Sequence, residues 1–178
     1  MAKEMNLRDR VQIVQGNIVS QDVDAIVNAA NTELKEGSGV CGAIFTAAGP
    51  ELESACDAVG GCPTGDARIT PGFLLKARHI IHAVGPVYRD GKSGEAELLA
   101  NAYRSSLELC ASHQCRSVAF PAISTGIYGY PKEEAARAAI GTVCDWLSQR
   151  TTPERVVFVL FTQQDREIYE NVMRERQN

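Results

Sequence analysis

Two stretches of this chain share one arrangement: an apolar run, then a glycine-rich loop, then a run with helical spacing. The first is Ala25-Ile26-Val27-Asn28-Ala29-Ala30-Asn31, followed by Gly37-Ser38-Gly39-Val40-Cys41-Gly42-Ala43-Ile44. The second is Ser117-Val118-Ala119-Phe120-Pro121-Ala122-Ile123, followed by Ser124-Thr125-Gly126-Ile127-Tyr128-Gly129-Tyr130-Pro131. Strand, short loop, helix, repeated, leaves few folds open. Such a chain builds a mostly parallel sheet with helices on both faces, and its ligands bind where the strands end. Glycine lets the backbone come close to a ligand. A helix start offers unpaired N–H groups and a partial positive charge. One such loop can hold a phosphate, and two facing loops can hold a diphosphate without a lysine.

The rest of the chain fits this pattern. Val11 to Gln15 alternates apolar and polar, as a half-buried strand does. Asp24 to Ala30 reads as a strand buried on both faces, and Gly39 to Ala48 and Glu51 to Val59 as helices broken at Gly49-Pro50. Short strands are expected at 67–70, 79–84, 117–123 and 155–161. Glu95 to Ser112 is a helix with Leu99, Ala102, Tyr103, Leu107, Cys110 and Ala111 on one face. Pro131 opens a helix carrying Ala136, Ala139, Ile140, Val143 and Leu147, and 164–176 is a polar final helix. The expectation is an α/β fold of three layers, α/β/α, with a mixed, mostly parallel central sheet. One domain over 1–178 is expected, its core about 11–161.

Composition excludes several functions. Lys and Arg number 18 against 22 Asp and Glu, a net charge of −4, whereas a nucleic-acid backbone needs a basic stripe. Six cysteines include no C-x-x-C pair, and only His79, His82 and His113 could join them, so a metal site is not expected. Met1 to Arg10 is polar, and no apolar run reaches the length of a membrane span. These features lead to the expectation of a cytoplasmic protein with reduced thiols.

Several residues stand where chemistry is possible. Asn31 ends a strand beside the first loop, and its amide offers a donor and an acceptor suited to sugar hydroxyls; a turn cap is the competing reading. Gly16, Asn17 and Ile18 end the first strand, where Asn17 either meets a base edge or caps a turn. Phe161 ends the last strand, and offers a stacking face or packs in the core. Cys41 lies at a helix start, where a thiol can become reactive, or is a small buried hydrophobe. His79 and His82 read as core or satisfied polar residues. A G-x-x-x-x-G-K-[ST] phosphate loop is absent, which argues against a nucleotide hydrolase.

Taken together, the motifs resemble those of a macrodomain, the ADP-ribose-binding α/β module. The resemblance rests on Gln15-Gly16-Asn17-Ile18, Val27-Asn28-Ala29-Ala30-Asn31, Gly37-Ser38-Gly39-Val40, His82-Ala83-Val84-Gly85-Pro86 and Ala122 to Pro131. It is nearest the bacterial MacroD-type branch, which removes ADP-ribose from acidic side chains and deacetylates O-acetyl-ADP-ribose. The resemblance implies that Asn17 faces the adenine amino group, with the Ile18 backbone near the ring and Phe161 bordering the adenine. It implies that Asn31 holds the distal ribose and that Gly16 and Ala29 also line the ligand site. Gly37, Ser38, Gly39 and Val40, with Ser124, Thr125, Gly126, Ile127 and Tyr128, would wrap the diphosphate and that ribose. No cofactor and no metal are implied. The implied partners are ADP-ribose, an ADP-ribosylated protein or O-acetyl-ADP-ribose.

The chain departs from the family pattern at three places. Asn17 stands where aspartate is usual. Cys41 stands where the MacroD branch has an aspartate thought to act on the attacking water. Phe45 stands where it has histidine. Some viral macrodomains that are hydrolases also carry cysteine at the Cys41 position. Two readings follow: a hydrolase of mono-ADP-ribosyl adducts, with water held by a substrate phosphate and the first loop, or a reader that binds ADP-ribose without cutting it. Cys41 itself acting as base or nucleophile is a further route within the first reading.

Overall fold

The computed structural model describes residues 6–177; the ends of the expected 1–178 domain lie outside the described residues. Six strands form one sheet in the order β1-β6-β5-β2-β4-β3. They are β1 (Val11–Gln15), β2 (Ala25–Ala29), β3 (Ala67–Pro71), β4 (His79–Ala83), β5 (Ser117–Phe120) and β6 (Arg155–Leu160). Every neighbouring pair is parallel except β3 with β4, so the sheet is mixed and mostly parallel. The helices are α1 (Leu7–Arg10), α2 (Gly39–Ala48), α3 (Glu51–Val59), α4 (Glu95–Ser112), α5 (Lys132–Gln149) and α6 (Gln163–Arg176). The result is an α/β/α sandwich.

The two sheet faces carry separate cores. On one, α4, α5 and α6 pack Leu99, Tyr103, Ile140, Val143 and Tyr169 over Val27, Ile81, Phe120 and Phe158. On the other, α2 and α3 pack Ile44, Phe45, Leu52 and Cys56 over Ile26, Ile80, Ala119 and Val157. Alternation along the strands divides these residues, since successive side chains point to opposite faces. At about 25 cal/mol per Å², each fully buried Ile or Leu contributes roughly 2 kcal/mol. Those of the central strands are buried on both faces, as their unbroken apolar runs imply.

Several boundaries shift by a residue or more from their sequence expectation, two of them for clear local reasons. β5 stops at Phe120 because Pro121 has no N–H for the ladder. α6 begins at Gln163, where the Thr162 hydroxyl accepts from Asp165 N at 3.1 Å. A single 3-10 turn, Ile18–Ser20, follows β1 because the Asn17 side chain accepts from Val19 N at 3.1 Å. Among the described residues, no helix is long and apolar enough to cross a membrane.

The topology sets the place of a cleft. β2 and β5 are neighbours, yet β2 leads to α2 on one face and β5 leads to α5 on the other. Their exit loops part above the sheet edge, and such a switch point leaves a crevice.

Candidate functional site

Four adjacent strands, β1, β6, β5 and β2, bring the residues singled out in the sequence to one edge of the sheet. With about 4.8 Å between strands, they spread over roughly 14 Å. At the β1–β6 end, Gly16 N donates to Leu160 O at 3.0 Å, so Gly16, Asn17 and Phe161 leave the sheet side by side. Phe161 is not in the core: it is 84% exposed, and β6 closes its ladder one residue earlier. A large ring left in solvent beside two strand ends is a free stacking face. Asn17 is exposed and its amide oxygen caps the 3-10 turn, which leaves its amide N–H groups free; Ile18 is buried behind it.

The second loop follows β5. Ser124 takes φ of 68°, a conformation a non-glycine residue rarely adopts, and its buried hydroxyl has no hydrogen-bond partner among the described residues. Tyr130 N donates to Ser124 O at 2.9 Å and Gly129 N to Gly126 O at 3.0 Å, which closes the loop on itself. The N–H groups of Thr125, Gly126, Ile127 and Tyr128 are left without a backbone acceptor among the described residues. Ile127 stands 88% exposed at the tip, and Thr125 and Tyr128 are half-buried below it. A side chain on Gly126 would meet nothing within 4 Å, so the loop presents bare backbone to open space there.

A buried carboxylate braces this loop, and the sequence reading missed it. Glu95 accepts from the backbone N–H groups of Arg89, Asp90, Gly91 and Ser93 at 3.0, 3.1, 2.8 and 2.6 Å. The bond from Arg89, with the others, holds its pKa down to about 2. The knotted segment is attached to the loop by Tyr88 N, which donates to Tyr128 O at 2.8 Å, and by the Tyr88–Tyr130 edge-to-face pair. Gly85 completes the support: a Cβ there would meet Ser124 Oγ at 2.2 Å, so only glycine lets the two segments approach.

The first loop follows β2. Gly37, Ser38 and Gly39 are exposed and Val40 half-buried; Ala29 and Asn31, behind them, are half-buried. Ser38 is the N-cap of α2, so the N–H groups of the first helical turn have no intrahelical acceptor. Gly42 lets the helix approach its own loop, since a Cβ there would lie 2.6 Å from Gly37 O. Asn31 Nδ2 donates to Lys35 O at 2.9 Å while its Oδ1 accepts from Lys35 N at 3.0 Å. The amide is thereby fixed in the plane of the loop, with a second N–H and a second lone pair still available.

Cys41 is 5% exposed, but it is not merely apolar filling. Its Sγ accepts from Asn28 Nδ2 at 3.6 Å and donates to Lys35 O at 3.5 Å. Phe45, one turn on, is 7% exposed and belongs to the core under α2. His82 is fully buried, and burial pushes its pKa down to about 4. Its contacts with Asn28, Thr70 and Cys56 make it the satisfied polar residue that the sequence suggested. Asn28 was not singled out in the sequence. Its signal was a polar residue inside an apolar run, two positions from either neighbour on the same face. His79 is half-buried at the other end of its strand and takes no part in the cleft. Among the described residues, no group of three or more His, Cys, Asp or Glu side chains is placed to hold a metal ion.

The arrangement therefore joins two sets of free N–H groups, one carboxamide and one exposed ring along a single sheet edge. Comparison with known proteins agrees with this architecture. The macro domain profile matches residues 27–139. A macro domain-containing protein of Mesorhizobium japonicum is 58% identical over 161 residues, covering 90% of this chain and 92% of the relative. The O-acetyl-ADP-ribose deacetylase of Salmonella typhimurium is 48% identical over 171 residues, covering 94% and 96%. The Oceanobacillus iheyensis macrodomain with ADP superposes with a TM-score of 0.90 at 42% identity, covering 97% of this chain and 95% of that one. The Trypanosoma brucei macrodomain in complex with ADP-ribose gives 0.88 at 37% identity, covering 94% and 70%. This chain belongs to the macro domain family.

Proposed function

We propose that the protein binds ADP-ribose along this edge and hydrolyses mono-ADP-ribosyl adducts, either ADP-ribose linked to an acidic side chain or O-acetyl-ADP-ribose. The observation that carries the reading is the pair of unsatisfied N–H sets on neighbouring strands, with the Asn31 amide beside the first. A diphosphate between the loops would take charge-assisted hydrogen bonds, each worth about 1.5–3 kcal/mol. Phe161 and Asn17 stand one and two strands beyond β5, where the adenine would lie, and Ile18 and Gly16 border it. Asn31 and Ala29 stand on the other side, at the distal ribose. The relatives named O-acetyl-ADP-ribose deacetylase and the neighbours holding ADP-ribose and ADP support the same reading.

In the ADP-ribosyl reaction, water attacks the anomeric carbon of the distal ribose. The bond from that carbon to the carboxylate oxygen breaks, and the carboxylate departs with the electron pair. The proton of water passes to a substrate phosphate oxygen and then to solvent. In the deacetylation, water attacks the acetyl carbonyl, and the ribose oxygen leaves and takes a proton. Asn31 orients the sugar, the Gly37–Val40 loop positions water, and the Ser124–Tyr128 loop clamps the phosphates. Holding the reactants in place lowers the barrier without a side-chain base. This suits a site where Phe45 is buried and the Cys41 proton is directed at a backbone carbonyl.

Those same two residues favour a second reading, a module that binds ADP-ribose and leaves it intact. Release of free ADP-ribose from a glutamate-linked mono-ADP-ribosylated protein, with acetate release from O-acetyl-ADP-ribose in parallel, separates the two. Turnover that falls about 100-fold or more in Asn31→Ala, with ADP-ribose affinity changed far less, is the expected result. Binding without either product establishes the reader.

A further inference from the structure

A line of buried side chains runs from the far side of the sheet to the first loop, and none of its first three members reaches the cleft. Asn28, His82 and Thr70 are 0%, 0% and 4% exposed. Asn28 on β2 and His82 on β4 are direct register partners. Thr70 on β3 lies diagonal to His82, whose own register partner is Arg68. All three face α2 and α3, between Ile26, Ile80 and Val84, which are ordinary core residues. Polar groups in such a place cost about 1–3 kcal/mol each when unpaired, and an aliphatic side chain would fill the space without that cost.

Their hydrogen bonds run in one direction. Asn28 Nδ2 lies 3.1 Å from His82 Nδ1 and 3.6 Å from Cys41 Sγ. An amide nitrogen only donates, so its two protons serve these two acceptors, and the imidazole carries its own proton on Nε2. That proton faces Thr70 Oγ1 at 2.9 Å, and the threonine hydroxyl donates to Pro71 O at 3.2 Å. With its acceptor lone pair engaged by Asn28, Cys41 directs its own proton to Lys35 O at 3.5 Å. The same carbonyl accepts from Asn31 Nδ2. Both lone pairs of Lys35 O are then taken, one from each residue of the cleft.

We propose that Thr70, His82 and Asn28 are positioning residues for the reacting end of the cleft. They fix the Cys41 thiol and, through the Lys35 carbonyl that Cys41 and Asn31 share, the Asn31 carboxamide. For its catalytic consequence this rests on the hydrolase reading above. The role of Cys41 is then to donate a hydrogen bond to a loop carbonyl. A hydroxyl can do the same, whereas a thiol nucleophile has no such substitute.

The test uses the whole chain and measures ADP-ribose affinity and ADP-ribose release side by side. His82→Leu, which removes the acceptor for Asn28, is expected to lower kcat about tenfold or more with Kd for ADP-ribose within about threefold. His82→Asn places an amide oxygen near the position of Nδ1 and is expected to recover most of that rate. Cys41→Ala is expected to resemble His82→Leu, and Cys41→Ser the wild type. An unchanged kcat in His82→Leu overturns the proposal, as does an equal loss of affinity and rate, or a Cys41→Ser as slow as Cys41→Ala. If the wild type binds ADP-ribose but releases nothing, the hydrolase reading fails on its own. The positioning is then decided by hydrogen exchange of the Asn31 side-chain amide, expected about tenfold faster in His82→Leu; an unchanged rate overturns it. If His82→Leu does not fold, nitrogen NMR of the wild-type ring decides: a proton on Nε2 supports the line, and a proton on Nδ1 overturns it.

Discussion

Acid should unfold this protein partly through one buried imidazole. His82 is faced by Asn28 of β2, Thr70 of β3 and Cys56 of α3, none of them charged at neutral pH; burial pushes the Cys56 thiol up to about 11. Among the described residues no carboxylate is placed to compensate a positive ring, and a proton on Nδ1 would oppose the Asn28 N–H. The pKa of His82 accordingly drops from the usual 6.5 to about 4. The unfolded chain takes up the proton as pH falls through 6.5, and the native state resists until about 4. Between those values the unfolded state binds more protons, so stability is complete above 6.5, declines as pH falls and levels off below 4. At roughly 1.4 kcal/mol per pH unit, the loss amounts to about 3 kcal/mol, a large fraction of a typical domain's stability. Urea unfolding at several pH values between 7 and 4 measures it. His79 is also lowered, chiefly by its own burial, and adds a slope of the same sign. The quantity to read is therefore the difference between wild type and His82→Asn, which should lack this slope. Equal pH slopes in the two proteins would refute the reasoning.

Gly126→Val should leave the melting temperature within a degree or two, because its Cβ meets nothing, yet it should weaken ADP-ribose binding by about 3 kcal/mol, roughly 150-fold, through loss of two phosphate hydrogen bonds. Calorimetry that finds full affinity would show that the second loop does not hold the phosphates. Asn17→Asp should keep the cap on Val19 N and offer adenine an ionised acceptor, tightening ADP-ribose by about 1 kcal/mol, roughly fivefold at pH 7; weaker binding would place the adenine elsewhere. Phe161→Ala removes a ring that is 84% exposed, so stability should hold while ADP-ribose affinity falls by about 1–3 kcal/mol and ribose 5-phosphate binding stays unchanged. An equal loss for both ligands would argue against stacking.

Local pattern was enough to determine the layers of this protein. The strands of the central sheet read as apolar runs and the helices as 3.6-residue periodicity, because burial on a sheet or under a helix stripe imposes those spacings on the sequence itself. The two glycine-rich loops were equally legible, since bare backbone next to a helix start is a local property. Strand order was not local. It alone decides that β2 and β5 are neighbours, and hence that two loops nearly 90 residues apart in the chain share one cleft. Phe161 could not be assigned to core or solvent until the end of β6 was fixed, because its spacing fits both. Glu95 gave no sign of burial: a carboxylate is hidden there only because four N–H groups of the turn just before α4, two to six residues back, close around it. The line from Thr70 to Cys41 exists only through strand register, which sets Asn28 opposite His82 although 54 residues separate them. For strand order and register, contacts between segments far apart in the chain made the assignment, and no short window of sequence contains both partners.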